Sequence, residues 1–232
     1  MQGATTINVQ FRAASDQSLI IYLDHQITRA AHEQVVKLLQ LLQSDPIEGV
    51  RNLHPAYCSL LVKFDSLRLG HDELRAKLQS YLNRIKKTPL PAPRRVEIPV
   101  CYGGEFGPDL NEVAAMHGLT PAKTIELHSS GTYLVYFLGF APGFAYLGGL
   151  PAALASPRLE TPRAKVPEGS VGIGGNQTGV YPLATPGGWR LIGRTPVAMF
   201  RRDRHPMNFL QIGDQVRFRV ISEKEFTGFG PR

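Results

Sequence analysis

The sequence predicts two domains, a small α+β domain followed by a mainly-β domain folded as a barrel or sandwich. Three observations carry that prediction. Within the first 87 residues, short apolar runs of strand length are twice followed by an amphipathic helical pattern. Residues 88–93, Thr-Pro-Leu-Pro-Ala-Pro, place three prolines in six positions, which favours extended linker structure. Between Gly139 and Pro196 lie 12 of the 23 glycines and 8 of the 18 prolines, with short apolar runs between them that fit strands and not helices. The domains are accordingly drawn as 1–87 and 94–232, joined by the linker 88–93.

In chain order, Ile7, Val9 and Phe11 alternate with polar residues and predict a first strand, and Leu19 to Leu23 predicts a second. Asp24 is the expected cap of a helix in which Ile27, Ala31, Val35, Leu38, Leu39 and Leu42 recur at helical spacing until Asp45-Pro46 ends it. Tyr57 to Phe64 reads as a strand. Leu74, Leu78, Tyr81, Leu82 and Ile85 form the apolar face of a second helix, which closes on Lys86-Lys87, where cations suit the C-terminal dipole. Beyond the linker, Arg95 to Val100 predicts a strand, Asp109 caps a short helix to about His117, and Thr120-Pro121 opens another through Leu127. Tyr133 to Phe140, Trp189 to Ile192, Val197 to Phe200 and Gln215 to Val220 are the later strands, with a turn at Gly213-Asp214.

Composition excludes several classes. With 43% hydrophobic and 19% charged residues the chain is globular, not disordered. Its two cysteines, Cys58 and Cys101, cannot supply a disulfide framework, and the N-terminus shows no secretory signal, so a cytoplasmic location is expected. The formal charge of +7 raises nucleic acid as a partner, but the basic residues are dispersed and the densest group, Arg201 to Arg204, is broken by Asp203, so none is expected. Ser129 to Pro157 is uncharged for 29 residues, yet five glycines and three prolines interrupt it, so no membrane span is expected.

Familiar catalytic signatures fail on their chemistry. Gly174 to Gly179 has the spacing of a phosphate loop, but Val180 stands where a lysine must reach the phosphates. Gly172-x-Gly174 lacks the third glycine of a dinucleotide fingerprint, so this stretch reads as a turn. Ser170 lacks the glycine two positions earlier that a nucleophile elbow needs. The seven histidines show no metal-ligand spacing, so no metal site is expected, and no catalytic residue is named. His128, at the mouth of the uncharged segment, reads as a capping or surface histidine and is kept as a site candidate. What remains is a candidate pocket for a small carboxylate or amide ligand. Phe140, Phe144, Tyr146, Tyr181 and Trp189 would form apolar walls, and Arg163, Gln177, Thr185 and Arg194 would offer hydrogen bonds, an arginine gripping a carboxylate through its fork.

Four stretches resemble one family: Glu97 to Leu110 (EIPVCYGGEFGPDL), Leu138 to Pro151 (LGFAPGFAYLGGLP), Val166 to Pro182 (VPEGSVGIGGNQTGVYP) and Pro186 to Pro196 (PGGWRLIGRTP). They look like the KipI/PxpB family, also called allophanate hydrolase subunit 1. The likeness extends from about Ala14 to Val220. Departures are Ser15-Asp16 for the family's Gly-Asp, Ala145 for a common proline, and Gly174 and Asn176 for alanine and glycine. The resemblance implies a cyclophilin-like β-barrel behind the α+β domain, without implying prolyl isomerase activity. It further implies the B subunit of an ATP-dependent 5-oxoprolinase, a hydrolase that opens 5-oxo-L-proline to L-glutamate together with its A and C subunits. On that reading this chain is inactive alone and ATP belongs to the complex. The family also contains an inhibitor of sensor histidine kinases and relatives fused in urea carboxylase, which are the alternative roles.

Overall fold

Two compact units meet between Ala92 and Pro93 in the computed structural model, which describes residues 9–230. In the first unit, β1 (Gln10–Ser15) and β2 (Ser18–Tyr22) form a hairpin, followed by α1 (Arg29–Ser44), β3 (Val50–Pro55), β4 (Ser59–Phe64) and α2 (His71–Ile85). The antiparallel sheet has the order β1-β2-β4-β3. Period-two alternation buries Leu19 and Ile21 of β2 and Leu60, Val62 and Phe64 of β4. The helices bury Val35, Leu38 and Leu42 from α1 and Leu74, Leu78 and Ile85 from α2. Each such side chain contributes roughly 1.5–3 kcal/mol of transfer free energy.

Three features of this unit differ from the sequence-based expectation. Ile7 lies outside the described residues, and the first strand runs from Gln10. The cap of α1 is Thr28, whose hydroxyl accepts from Ala31 N, and not Asp24. Asp24 instead accepts from the backbone N–H groups of His25 and Gln26 in a local turn, a competing bond that delays the helix and leaves Ile27 59% exposed. Strand β3 escapes a periodicity search because it is a mostly polar edge strand that pairs with β4 alone.

The second unit begins with β5 (Arg95–Tyr102), α3 (Leu110–Met116), α4 (Pro121–Ser130), β6 (Tyr133–Leu138) and β7 (Ala145–Gly148). After a 3₁₀ turn at Ala152–Leu154 come β8 (Arg163–Val166), β9 (Ser170–Gly174), β10 (Gln177–Val180), β11 (Thr185–Gly187), β12 (Arg190–Arg194), β13 (Gln215–Val220) and α5 (Glu223–Gly228). Seven strands close a barrel in the order β10-β7-β6-β13-β5-β12-β9, and β8 and β11 form a separate ribbon. The β13–β5 pair is parallel, with Gln215 opposite Arg95. Ile98, Val100, Val135, Leu147, Val171, Ile173, Ile192 and Val216 belong to the barrel's buried core. Thr120 caps α4 by accepting from Lys123 N, with Pro121 in the first turn, as its sequence predicts.

Val197 to Phe200 is not a strand; only an isolated bridge joins Phe200 to Asn208. The barrel is already closed, so no edge is free to pair with this segment. Asp109 does precede α3, but its carboxylate makes no capping bond. Among the described residues no helix is long and apolar enough to cross a membrane.

Candidate functional site

Strand alternation explains why glycine is abundant here. In β9 and β10, Val171, Ile173 and Val180 point into the barrel core, so Gly172, Gly174 and Gly179 occupy its outer face. That face is bare backbone, and aromatic rings lie against it. A Cβ on Gly174 would stand 2.4 Å from Trp189 Nε1, and one on Gly179 would stand 3.2 Å from Trp189 Cζ3. On β11, a Cβ on Gly187 would stand 2.4 Å from the Tyr181 hydroxyl. A second apolar cluster, Phe144, Val166, Tyr181, Trp189 and Leu191, therefore fills the space outside the barrel wall.

Phe144 is the hub of that cluster. Its ring meets Tyr146 at 5.1 Å, Phe140 at 5.4 Å, Trp189 at 5.5 Å and Tyr181 at 5.7 Å, every pair edge-to-face. Such perpendicular pairs are favourable, and they hold the buried rings of Phe144, Tyr181 and Trp189 in fixed orientation. Between them opens a cleft of about 230 Å³, lined by all five aromatic residues that the sequence nominated. Pro162, Pro186, Gly187, Gly188 and Arg158 complete the lining. Burial pushes the Tyr181 phenol above its ordinary range, so it stays protonated, and the Trp189 backbone is hydrogen-bonded to it. Arg158 is the charged member of the lining; it is exposed and forms no ion pair among the described residues.

The family model for the carboxyltransferase domain, subdomain C and D, matches residues 9–210. The chain belongs to this family. It is 40% identical to the B subunit of 5-oxoprolinase from Bacillus subtilis (strain 168) over 97% of its own length and 98% of that protein's. It is 44% identical to the B subunit of 5-oxoprolinase from Escherichia coli O157:H7, covering 90% of this chain and 94% of that one. Among solved structures, TTHA0988 superposes with a TM-score of 0.79 at 36% identity over 89% of this chain. The chain spans 40% of the length of TTHA0988.

Within this carboxyltransferase-domain chain the polar candidates divide differently from expectation. Arg163 does not line the cleft. It pairs opposite Gly187 in the β8–β11 ribbon and donates from Nη2 to Asp109 Oδ1 at 2.7 Å. Its Nη1 is buried without a hydrogen-bond partner. Arg194 lies at the far end of β12, five residues and about 16 Å along the strand from Trp189, and donates from Nε to Glu168 O. Gln177 faces the same outer wall but at the hairpin end, opposite Gly174 and outside the lining. Thr185 precedes the lining residue Pro186, with its hydroxyl oxygen buried and unpartnered. Two arginines expected in one cleft are thus both committed to other groups.

His128 is neither a surface nor a capping residue and does not reach the cleft. It projects from α4 among the inward-facing side chains and is fully buried, stacked on Phe218 at 4.6 Å. The Thr178 hydroxyl donates to Gly172 O at 3.0 Å, so it accepts from His128 Nε2–H at 2.9 Å. His128 Nδ1 then accepts from the Tyr102 hydroxyl at 2.8 Å. Burial lowers the His128 pKa to about 3, which keeps the ring neutral near pH 7. Arg158 is the functional candidate that sequence reasoning misses. Its signal is present, because it is the first charge after the 29-residue uncharged stretch and sits four residues before Pro162.

Proposed function

We propose that the chain is the B subunit of an ATP-dependent 5-oxoprolinase and acts with the A and C subunits to convert 5-oxo-L-proline to L-glutamate. The observation that carries this reading is 40–44% identity to 5-oxoprolinase B subunits over nearly the full length of both partners. The aromatic cleft supports it. At about 230 Å³ it lies below the roughly 300–1,000 Å³ of drug-sized sites and suits a small metabolite. A planar lactam ring fits between aromatic walls, and Arg158 at the rim is the group to hold its carboxylate through two parallel hydrogen bonds. Burial against rings fixes orientation, which is what one subunit can contribute when the reacting groups come from elsewhere.

The lactam is a stable amide, and ATP supplies the driving force for opening it. This chain does not fit the nucleotide's phosphates at its glycine run. Gly174 pairs with Gln177 across a two-residue hairpin turn, so Gly174 to Gly179 leads into a strand instead of a helix N-terminus. ATP is therefore assigned to the assembled complex, and the isolated chain is expected to turn over neither substrate. Coexpression with both partner subunits and an assay of ATP-dependent glutamate release tests the proposal. Activity is expected only with all three chains present. Turnover by this chain alone, or no glutamate from the complete mixture, overturns it.

A further inference from the structure

Phe140 is the single non-glycine residue with positive φ, at +68°, among the described residues. The bond from Ala141 N to Gly139 O, 2.8 Å, closes a three-residue γ-turn around it. This positive-φ form is rare, and for a residue with a Cβ it is strained. Glycine would adopt it freely, and the loop already has glycines at 139 and 143. The base of the loop is pinned by Phe144 N to Ala141 O at 3.0 Å and Gly139 N to Phe144 O at 3.1 Å. The backbone is over-determined and holds the strain in place.

Neither turn formation nor core packing accounts for a phenylalanine here. A turn former would be glycine, and a core residue would be buried, whereas Phe140 is 64% exposed. Its ring instead lines the aromatic cleft, edge-on to Phe144 at 72° and to Tyr181 at 88°. The neighbouring rings Phe144, Tyr181 and Trp189 are all buried and fixed. Phe140 is the exposed aromatic wall of this site.

We infer that Phe140 is the specificity-determining side chain of the cleft, an aromatic lid on a rigid strained turn that closes over a small planar ring. The inference rests on the substrate reading of the cleft. With the backbone pinned, rotation about the side-chain bonds alone brings the ring across the opening. Stacking on a ring ligand offsets the strain held in the free protein. An open-chain ligand offers no flat face and stacks less well, so the lid discriminates the cyclic from the linear form.

Trp189 is the one tryptophan of the chain and lines the cleft, so its fluorescence reports occupancy directly. The full chain is titrated with 5-oxo-L-proline and with L-glutamate, and the same is done for Phe140→Ala, Phe140→Gly and Phe140→Tyr. Phe140→Ala and Phe140→Gly are expected to weaken 5-oxo-L-proline binding by roughly tenfold and to erase the preference over L-glutamate, while Phe140→Tyr retains both. Phe140→Gly is also expected to unfold at a temperature no lower than the wild type, because it releases the strained φ. Wild-type binding that Phe140→Ala leaves unaltered overturns the lid alone, and so does a fall in thermal midpoint for Phe140→Gly, which marks a structural role. A wild-type Trp189 signal that ignores 5-oxo-L-proline overturns the substrate reading of the cleft and the lid with it.

Discussion

The carboxylate of Asp109 joins two elements that are far apart in sequence: it accepts from Arg163 Nη2 at 2.7 Å and from the backbone N–H of Leu191 at 2.6 Å. Asp109 is buried, and Arg163 is partly so, with 30% of its side chain exposed. The pair ties the β8–β11 ribbon to the barrel strand β12 and so supports the wall on which Tyr181 and Trp189 lie. Arg163 is held in this ion pair and lies outside the cleft lining.

Asp109→Ala is accordingly expected to destabilise the barrel unit by about 2–3 kcal/mol, since it removes a charge-assisted bond and leaves the Leu191 N–H unpaired in a buried place. Partial exposure of Arg163 keeps the loss below that of a fully buried pair. Denaturant unfolding followed by Trp189 emission measures it. A change under about 0.5 kcal/mol, the scale of a neutral surface substitution, is the contrary outcome.

Arg158→Ala is expected to behave in the opposite way. Its side chain is exposed and has no ion pair among the described residues, so stability should move by less than about 0.5 kcal/mol. Binding of 5-oxo-L-proline to the chain should fall at least roughly tenfold, because the carboxylate loses a bidentate partner. Arg158→Lys should recover part of the loss, a point charge replacing the fork. Unchanged affinity in Arg158→Ala would remove the carboxylate from this rim.

Buried His128 links stability to pH. In the unfolded chain it takes a proton near 6.5, whereas in the folded barrel burial holds its pKa at about 3. Between these values the unfolded state binds more protons, so the barrel unit loses stability as pH falls from about 6.5 towards 3, by about 1.4 kcal/mol per pH unit from this residue. Above 6.5 the contribution is constant. Burial is the cause of the shift, and the ring's hydrogen-bond partners, Tyr102 and Thr178, are uncharged. His32 in the first unit is shifted in the same direction, to about 4, so the measurement uses Trp189 emission, which reports the barrel unit. His128→Gln should flatten the profile between pH 6.5 and pH 4. A variant profile that parallels the wild type would assign the slope to other groups.

Sequence by itself determined which faces are buried and which residues are large and apolar near glycines. The spacing of Leu74, Leu78 and Ile85 marks one helix face, and alternation in β2 marks one sheet face, because both periods are local properties of the backbone. The five aromatic residues of the cleft were likewise legible, since rings beside glycines have one place to lie. Tertiary structure alone decided the polar assignments. Asp109 and Arg163 are 54 residues apart and His128 and Thr178 are 50 apart, so no local pattern distinguishes a braced arginine or a buried histidine from free ones. The tertiary fold brought those partners together, and with Arg163 and Arg194 held elsewhere, Arg158 is the cleft-lining cation without an ion pair among the described residues. The φ of Phe140 belongs to the same category: its strain exists only because the hydrogen bonds at the loop base hold the turn against the residue's own preference.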